Sequence, residues 1–128
     1  MTNSTSDSAL TLEHCVVRDT ASRTGRTRTV APGGTSARHL HYGRIILGGG
    51  DAALSFSTGG HETGLIALKG AATVVAEGQT FELVPYDALY VPRDCGIEVR
   101  PGRGGCDLAE LSAPVSGRHP VQFVRFAD

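Results

Sequence analysis

The sequence predicts an all-β protein in which two antiparallel sheets pack together as a sandwich or barrel. Short apolar runs alternate with turns, and the 128 residues include 17 Gly and 6 Pro. Strand-sized runs recur at roughly 8–12-residue spacing, which is typical of sandwiches and barrels. Apolar residues do not repeat at the i, i+3, i+4 spacing of a helix over three turns, so we expect almost no helix.

Residues 59–92 carry the clearest strand pattern. Four short runs, at residues 65–68, 72–75, 79–84 and 88–91, are separated by turn sequences. Glu77-Gly78 between β-branched runs indicates a hairpin, and Pro85 and Pro92 are suited to strand ends. Hairpins this short need a second sheet or a closed barrel to bury their apolar side chains.

The remaining predicted strands flank this block, at residues 12–18, 38–47, 52–57, 96–100, 106–112 and 121–126. Residues 19–34 are rich in Thr, Ser, Gly and Pro and are predicted to form a loop. Residues 1–10 are expected to be a flexible polar tail, and residues 11–128 a single domain.

Composition limits the classes of function. A hydrophobic content of 40% and a charged content of 20% indicate a globular protein. The net charge of −1 gives no support for nucleic-acid binding. No apolar run approaches the roughly 18 residues of a membrane span. The three Cys form no CxxC pair, which favours a reduced, cytoplasmic protein.

Three motifs occur in an order that points to a known family. They are TGGHETGLIALKGAATV at residues 58–74, YVP at 90–92 and LSAPVSGRHPVQFV at 111–124. The chain resembles the cupins over about residues 26–126, and within them the N-terminal cupin half of the 5-deoxyglucuronate and 5-keto-4-deoxyuronate isomerases. The resemblance implies a single jelly-roll-like cupin barrel and isomerisation of a keto-sugar acid.

The sequence departs from the general cupin pattern at the metal ligands. That pattern arranges three His and one Glu around a divalent ion, and their positions fall here on Phe56, Thr58, Thr63 and Ile97. None of these residues is a ligand of that pattern. In the resembled isomerases the metal belongs to the C-terminal cupin, so the activity cannot be carried over residue by residue.

His39 and His41 are candidate acid–base groups. They are two residues apart on a predicted strand, so their side chains point to the same side. Ile45 and Leu47 share that parity, which indicates that this side faces the barrel interior. Imidazoles of near-neutral pKa are suited to transferring protons between adjacent carbons of a keto compound.

The same histidines are also candidate metal ligands. Together with His61 and Glu62, in the turn before the next strand, they would offer three imidazoles and a carboxylate to Zn²⁺ or Fe²⁺. However, His-x-His is common on strands, and His61 and Glu62 are equally consistent with an exposed turn residue and a structural hydrogen bond. The sequence is consistent with one bound divalent metal and with no cofactor, and it favours the absence of a cofactor.

Glu110 and Tyr90 are candidate catalytic residues on the wall of the barrel interior opposite the two histidines. Leu108, Glu110 and Ser112 share one strand face. If that face lines the barrel, burial would raise the pKa of Glu110 and suit it to proton transfer; if it faces outward, Glu110 is an ordinary solvated residue. Tyr90 is consistent both with hydrogen bonding to a substrate oxygen and with simple packing.

Arginine is concentrated around the His pair, which predicts a small anionic or polar ligand. Arg38 and Arg44 flank the pair, and with His61 they are candidate substrate-binding residues. Their parity is opposite to that of the two histidines, so they are expected to point away. The arginines at 23, 26 and 28 are equally consistent with a solvated loop.

Three functions remain open. The first is a cupin enzyme that moves protons on a small carbonyl compound, as an isomerase, epimerase, cyclase or lyase, using His39, His41, Glu110 and Tyr90. The second is a metal-dependent variant of it. The third is a non-catalytic module that binds a small acid or dimerises. We favour the enzyme, and we expect a homodimer because residues 121–126 have no cleanly polar face.

Overall fold

A computed structural model of the protein describes residues 11–128, so the predicted tail, residues 1–10, lies outside the described residues. Within this range one four-residue helix, α1 (Leu12–Cys15), precedes eight strands. The strands are β1 Gly25–Val30, β2 His41–Leu47, β3 Leu54–Ser57, β4 His61–Ala76, β5 Gln79–Leu83, β6 Ala88–Val91, β7 Gly96–Pro114 and β8 Gln122–Val124. All strand pairs are antiparallel, which confirms the all-β prediction. No helix between residues 11 and 128 has the length and apolar character to cross a membrane.

The long strands β4 and β7 pair with each other from one end of the molecule to the other. His61 lies opposite Pro114 at one end, and Ala76 lies opposite Ile97 at the other. The register shifts on both sides of Lys69-Gly70, where Gly70 has a φ of 70°. A Cβ on Gly70 would overlap the carbonyl oxygen of Gly105, so this irregular stretch of the ladder needs a glycine.

The two halves of this β4–β7 ribbon belong to two sheets. The first half of β4 and the second half of β7 lie between β2 and β6, giving the order β1-β2-β7-β4-β6-β8. The other two halves lie between β3 and β5. This arrangement is the jelly-roll-like barrel of two antiparallel sheets that the sequence predicts.

The hydrophobic core lies between the inner faces of the sheets. Ile45, Leu65 and Leu108 of the first sheet join Val74 and Val99 of the second, and all five are 0% exposed. Buried and partly exposed residues alternate along the strands, because successive side chains of a strand point to opposite faces. Each such side chain stabilises the fold by about 1.5–3 kcal/mol through its burial.

Several predicted boundaries are wrong. Residues 12–18 contain α1 and no strand, and the predicted loop at 19–34 contains β1. The predicted turns at 69–70 and 101–105 lie inside β4 and β7, because glycines there allow bulges and both halves of each strand keep their ladder partners. The strand predicted at 38–47 begins only at His41, which leaves Arg38 and His39 in the preceding loop.

Candidate functional site

The inner faces of three neighbouring strands change from apolar to polar at the same end of the barrel. His41 of β2 pairs with Ser112 of β7, which in turn pairs with Thr63 of β4. This end of the barrel holds a cavity of about 330 Å³, called here the barrel cavity. Its lining consists of Arg26, Arg28, Ser57, Thr58, Gly59, Gly60, His61, Thr63, Glu110 and Ser112.

Strand β1 brings two arginines to the barrel cavity. Arg26 pairs with Ile45 and Arg28 with Gly43, so both side chains lie on the inner side of the sheet. A Cβ on Gly43 would overlap the carbonyl oxygen of Thr27, and its absence allows β1 to lie close against β2. Sequence reasoning placed both arginines in a loop. The signal that would have found them is the alternation Arg-Thr-Arg-Thr-Val at residues 26–30.

Glu110 lies on the inner face and forms an ion pair with Arg26. It is 4% exposed, and its two carboxylate oxygens accept hydrogen bonds from Nε and Nη2 of Arg26, both at 2.7 Å. Nη2 of Arg28 lies 3.7 Å from the same carboxylate. The guanidinium of Arg26 also lies over the ring of Phe56, 3.9 Å from its centroid. Glu110 therefore lies on the inner face, one of the two alternatives that the sequence left open, and Arg26 binds both of its oxygens.

Two imidazoles meet beside the barrel cavity. The ring centroids of His41 and His61 are 4.6 Å apart. Nδ1 of His61 lies 3.2 Å from Oγ of Ser112, and Nη1 of Arg28 lies 3.4 Å from Nδ1 of His41. Burial, followed by the charges of Arg28 and His61, lowers the pKa of His41 below its ordinary value. His41 is therefore neutral at pH 7 and able to accept a proton.

Three of the predicted site residues do not reach this cavity. His39 and Arg38 are exposed in the loop before β2. Arg44 is directed to the outer face, as its parity predicts, where its Nε donates to Oδ1 of Asp107 at 2.8 Å and its Nη1 donates to Thr20. The positive charge at the cavity comes from Arg26 and Arg28, and not from Arg38 and Arg44.

Glu62 and Tyr90 lie together on the outer face of the sheet. The hydroxyl of Tyr90 donates a hydrogen bond of 2.8 Å to Glu62. Burial first, and the bond to Glu62 second, raise the pKa of Tyr90, so the phenol stays protonated. The pair lines a second depression with Leu40, Leu111 and Ala113, which shares Thr63 and Ser112 with the barrel cavity. Tyr90 therefore does not form the opposite wall of the barrel cavity.

The ligand set predicted for a metal is not assembled. His41 and His61 are adjacent, but His39 lies in a loop and Glu62 faces the other side of the sheet. Among the described residues, no three or more His, Cys, Asp and Glu side chains form a group that could hold a metal ion.

The residues at the ligand positions of the general cupin pattern do not fit a metal either. The hydroxyl of Thr58 donates to the carbonyl of Pro92 and accepts from the amide of Cys95. Ile97 is part of the core, and the ring of Phe56 lies under Arg26. Thr63 contributes only a hydroxyl to the cavity lining.

The barrel of two antiparallel sheets, with a polar cavity at one end, defines a cupin. A family model described as the KduI/IolB family matches residues 15–128, and the chain belongs to that family. The resemblance inferred from the sequence motifs is thereby confirmed.

The chain is similar to proteins of known sequence and structure, two of which are much longer than it is. A curated relative, the 4-deoxy-L-threo-5-hexosulose-uronate ketol-isomerase of Cereibacter sphaeroides (strain ATCC 17025 / ATH 2.4.3), is 32% identical over an alignment of 103 residues that covers 70% of this chain. The match spans only 37% of the relative's length. The crystal structure of an IolB-like protein from Salmonella typhimurium LT2 has a TM-score of 0.68 and 20% identity over 79% of this chain and 41% of its own. A cupin protein from Bacteroides fragilis has a TM-score of 0.62 and 15% identity over 82% of this chain and 85% of its own.

Proposed function

We propose that this cupin binds a small anionic keto compound in the barrel cavity and transfers a proton between two adjacent carbons of it. The observation that carries the proposal is the contact of His41 with His61 beside Arg28 at the polar end of the barrel. The name of the Cereibacter relative, a ketol-isomerase acting on a hexosulose uronate, supports the same reaction class. The match spans only 37% of that relative's length, so the assignment of a similar substrate to this chain is part of the proposal.

The charges at the cavity favour an anion. Arg26 and Arg28 bring two positive charges, and Glu110 brings one negative charge. The pair of Arg26 and Glu110 is neutral as a unit, so Arg28 supplies the excess charge. Its side chain is 40% exposed, which leaves its donors accessible. Arginine binds carboxylates in a bidentate manner, so a sugar-acid carboxylate is the ligand that Arg28 suits best.

The two imidazoles suit the proton transfers of a ketol isomerisation. In that reaction a base removes a proton from the hydroxyl-bearing carbon, and an enediol forms. A proton is then returned to the neighbouring carbon, so the reaction needs no oxidant or reductant. Neutral His41 is able to act as the base, and His61, oriented by Ser112, is the second proton carrier.

The test is an assay of the purified chain with 4-deoxy-L-threo-5-hexosulose uronate, in the presence of EDTA. We expect isomerisation, together with incorporation of deuterium from D₂O at the exchanged carbon. His41→Gln and His61→Gln should each lower kcat by about 10²-fold. His119→Gln, an exposed residue elsewhere, is the matched control and should keep wild-type turnover. Absence of both turnover and exchange in the wild type would reject the enzymatic proposal.

A second candidate is a non-catalytic module that binds a small acid. It is favoured by the pairing of Glu110 with Arg26, because both oxygens of this buried carboxylate are already occupied. Calorimetry with the same compound distinguishes the two. Binding that depends on Arg28, without isomerisation or exchange, would establish the module. For both candidate functions, a cytoplasmic location and a homodimeric assembly stay predictions.

A further inference from the structure

We propose that Arg26 binds and polarises the reacting carbonyl oxygen, and that Glu110 and Phe56 position it for this role. The inference rests on the proposed ketol isomerisation. That reaction needs a group that stabilises the negative charge appearing on the carbonyl oxygen as the proton leaves carbon. In the general cupin pattern a metal ion is available for this, but the residues of this chain do not fit one.

The guanidinium of Arg26 has one edge bound and one edge free. Its Nε and Nη2 donate to Glu110, each at 2.7 Å. Nη1, on the edge away from the carboxylate, makes no hydrogen bond within residues 11–128. Arg26 lines the barrel cavity, and its side chain is 32% exposed. Nη1 is therefore a donor available to a bound molecule.

The orientation of this donor is fixed before any ligand arrives. The bidentate contact with a carboxylate that is 4% exposed holds the guanidinium in the plane of that carboxylate. The ring of Phe56, 3.9 Å from Cζ, supports the face of the guanidinium. A donor that is already oriented costs no reorganisation at the moment when charge develops, which is the source of its catalytic value.

The two arginines divide the binding of the substrate between them. Arg26 is neutralised by Glu110, so it favours an uncharged carbonyl over a carboxylate in the ground state. Arg28 lies 3.7 Å from Glu110 and carries the excess charge, so it favours the carboxylate. When the base removes the proton, the electron pair moves into the carbon–carbon bond and the carbonyl oxygen becomes an enolate oxygen beside Nη1. The proton of the neighbouring hydroxyl then passes to this enolate oxygen, and return of the carbon-bound proton to the former carbonyl carbon leaves the carbonyl on the adjacent carbon.

The position of Phe56 supports this assignment. It is one of the residues on which the metal ligands of the general cupin pattern fall, and the guanidinium lies directly over its ring. Arg26 thus places a positive group near the part of the barrel that this pattern gives to a metal ion.

The experiment compares Arg26→Lys and Glu110→Gln with the control Arg44→Lys. The control changes a second bidentate arginine–carboxylate pair, Arg44 of β2 with Asp107 of β7, which lies on the outer face. We expect Arg26→Lys and Glu110→Gln to lower kcat by about 10²-fold with KM changed less than about threefold, because the lost contact is much stronger with the charged oxygen of the transition state than with the neutral carbonyl of the bound substrate. Arg44→Lys should keep both constants.

A binding measurement tests Arg26 even if turnover is absent. Galactarate monohydroxamate carries a carboxylate at one end and an enediolate mimic at the other, and galactonate carries only the carboxylate. In calorimetry with EDTA, Arg26→Lys should weaken the affinity for the hydroxamate by about tenfold or more and change the affinity for galactonate by less than about twofold.

Three outcomes would overturn the proposal for Arg26. They are unchanged kcat and hydroxamate affinity in Arg26→Lys, an equal loss of affinity for both ligands, and a loss in Arg44→Lys as large as in Arg26→Lys. If the variants do not fold, the wild type suffices: the infrared carbonyl stretch of the bound keto-sugar acid should move to lower wavenumber, and an unmoved band contradicts the proposal. A wild type that does not isomerise rejects the proposed function, whereas the hydroxamate comparison still decides the role of Arg26.

Discussion

The imidazole of His41 lies against the imidazole of His61, with the ring planes inclined by 59°. Arg28 approaches the same His41 ring from β1. A protonated His41 ring would lose solvation through its partial burial, and its charge would lie next to the positive charge of Arg28. Both effects disfavour the imidazolium form of His41.

The acid sensitivity of the fold should therefore depend on His41. Its pKa is lower in the folded protein than the ordinary 6.5, so between the two values the unfolded chain binds more protons. The free energy of unfolding then rises with pH through this window. The contribution is complete above the unfolded pKa and is lost as the pH falls through the folded pKa.

Replacement of His41 by Gln should reduce this loss of unfolding free energy at acidic pH. Urea denaturation of wild type and His41→Gln at several values between about pH 5 and pH 8 measures it. His119→Gln, which removes an exposed histidine, should keep the wild-type slope. An identical slope in His41→Gln and wild type would contradict the inferred pKa shift.

Replacement of Glu110 by Gln should destabilise the protein. The change leaves Arg26 without its charged partner beside the core. Breaking a fully buried pair costs about 3–5 kcal/mol, and the 32% exposure of Arg26 should reduce this to about 2 kcal/mol. The exposed pair of Arg100 and Glu98 gives the control, since Glu98→Gln should cost less than about 1 kcal/mol. Equal midpoints for the two variants in urea would refute the difference.

Replacement of Gly43 by Ala should displace β1 and weaken ligand binding. The new Cβ would overlap the carbonyl oxygen of Thr27, so the two strands must separate. Since β1 carries Arg26 and Arg28, both stability and affinity for a keto acid should fall together. Gly96→Ala is the matched strand control, because a Cβ there meets nothing within 4 Å. An unchanged affinity in Gly43→Ala would show that the close approach is not needed.

Light scattering at micromolar concentration should report a homodimer, with twice the 13.4 kDa chain mass. The reason lies at the sheet edge, where β8 pairs with β6 and with no other strand of the described part of the chain, and where Val124 is 62% exposed. Unpaired edges and exposed apolar side chains favour pairing across a two-fold axis. Val124→Lys should shift the equilibrium towards monomer. A measured mass equal to that of one chain for the wild type would contradict this prediction.

Period-two patterning predicted much of the fold and part of the site. The parity of His41 with Ile45 and Leu47 correctly predicts which side of β2 faces inward, and the same reasoning directs Arg44 outward. It works because successive side chains of a strand point to opposite faces regardless of tertiary context. The sequence could not decide which face Glu110 occupies, since apolar residues of β7 lie on both faces there, Leu108 on the face of Glu110 and Ala109 and Leu111 on the other.

Other features depend on partners that are distant in sequence. Arg26 and Glu110 are 84 residues apart, and no local pattern links them. The glycines at 70 and 105 were taken as strand ends, but in the fold they lie against each other within the continuous β4–β7 ladder. His39 was assigned to a strand because residues 38–47 were taken as one run, whereas the ladder with β7 begins only at His41.

Among residues 11–128, strand β1 is hydrogen-bonded on one side only, at the edge of the first sheet. An edge strand is able to detach by local opening at a smaller free-energy cost than the central β4–β7 pair, which requires disruption of the core. The arginines of the barrel cavity thus reside on a separable part of the chain, while His61 and Glu110 reside on the most protected part. A bound anion would act as a clamp between the two. Amide hydrogen exchange in residues 25–30 should accordingly slow on ligand binding, while exchange in β4 stays unchanged.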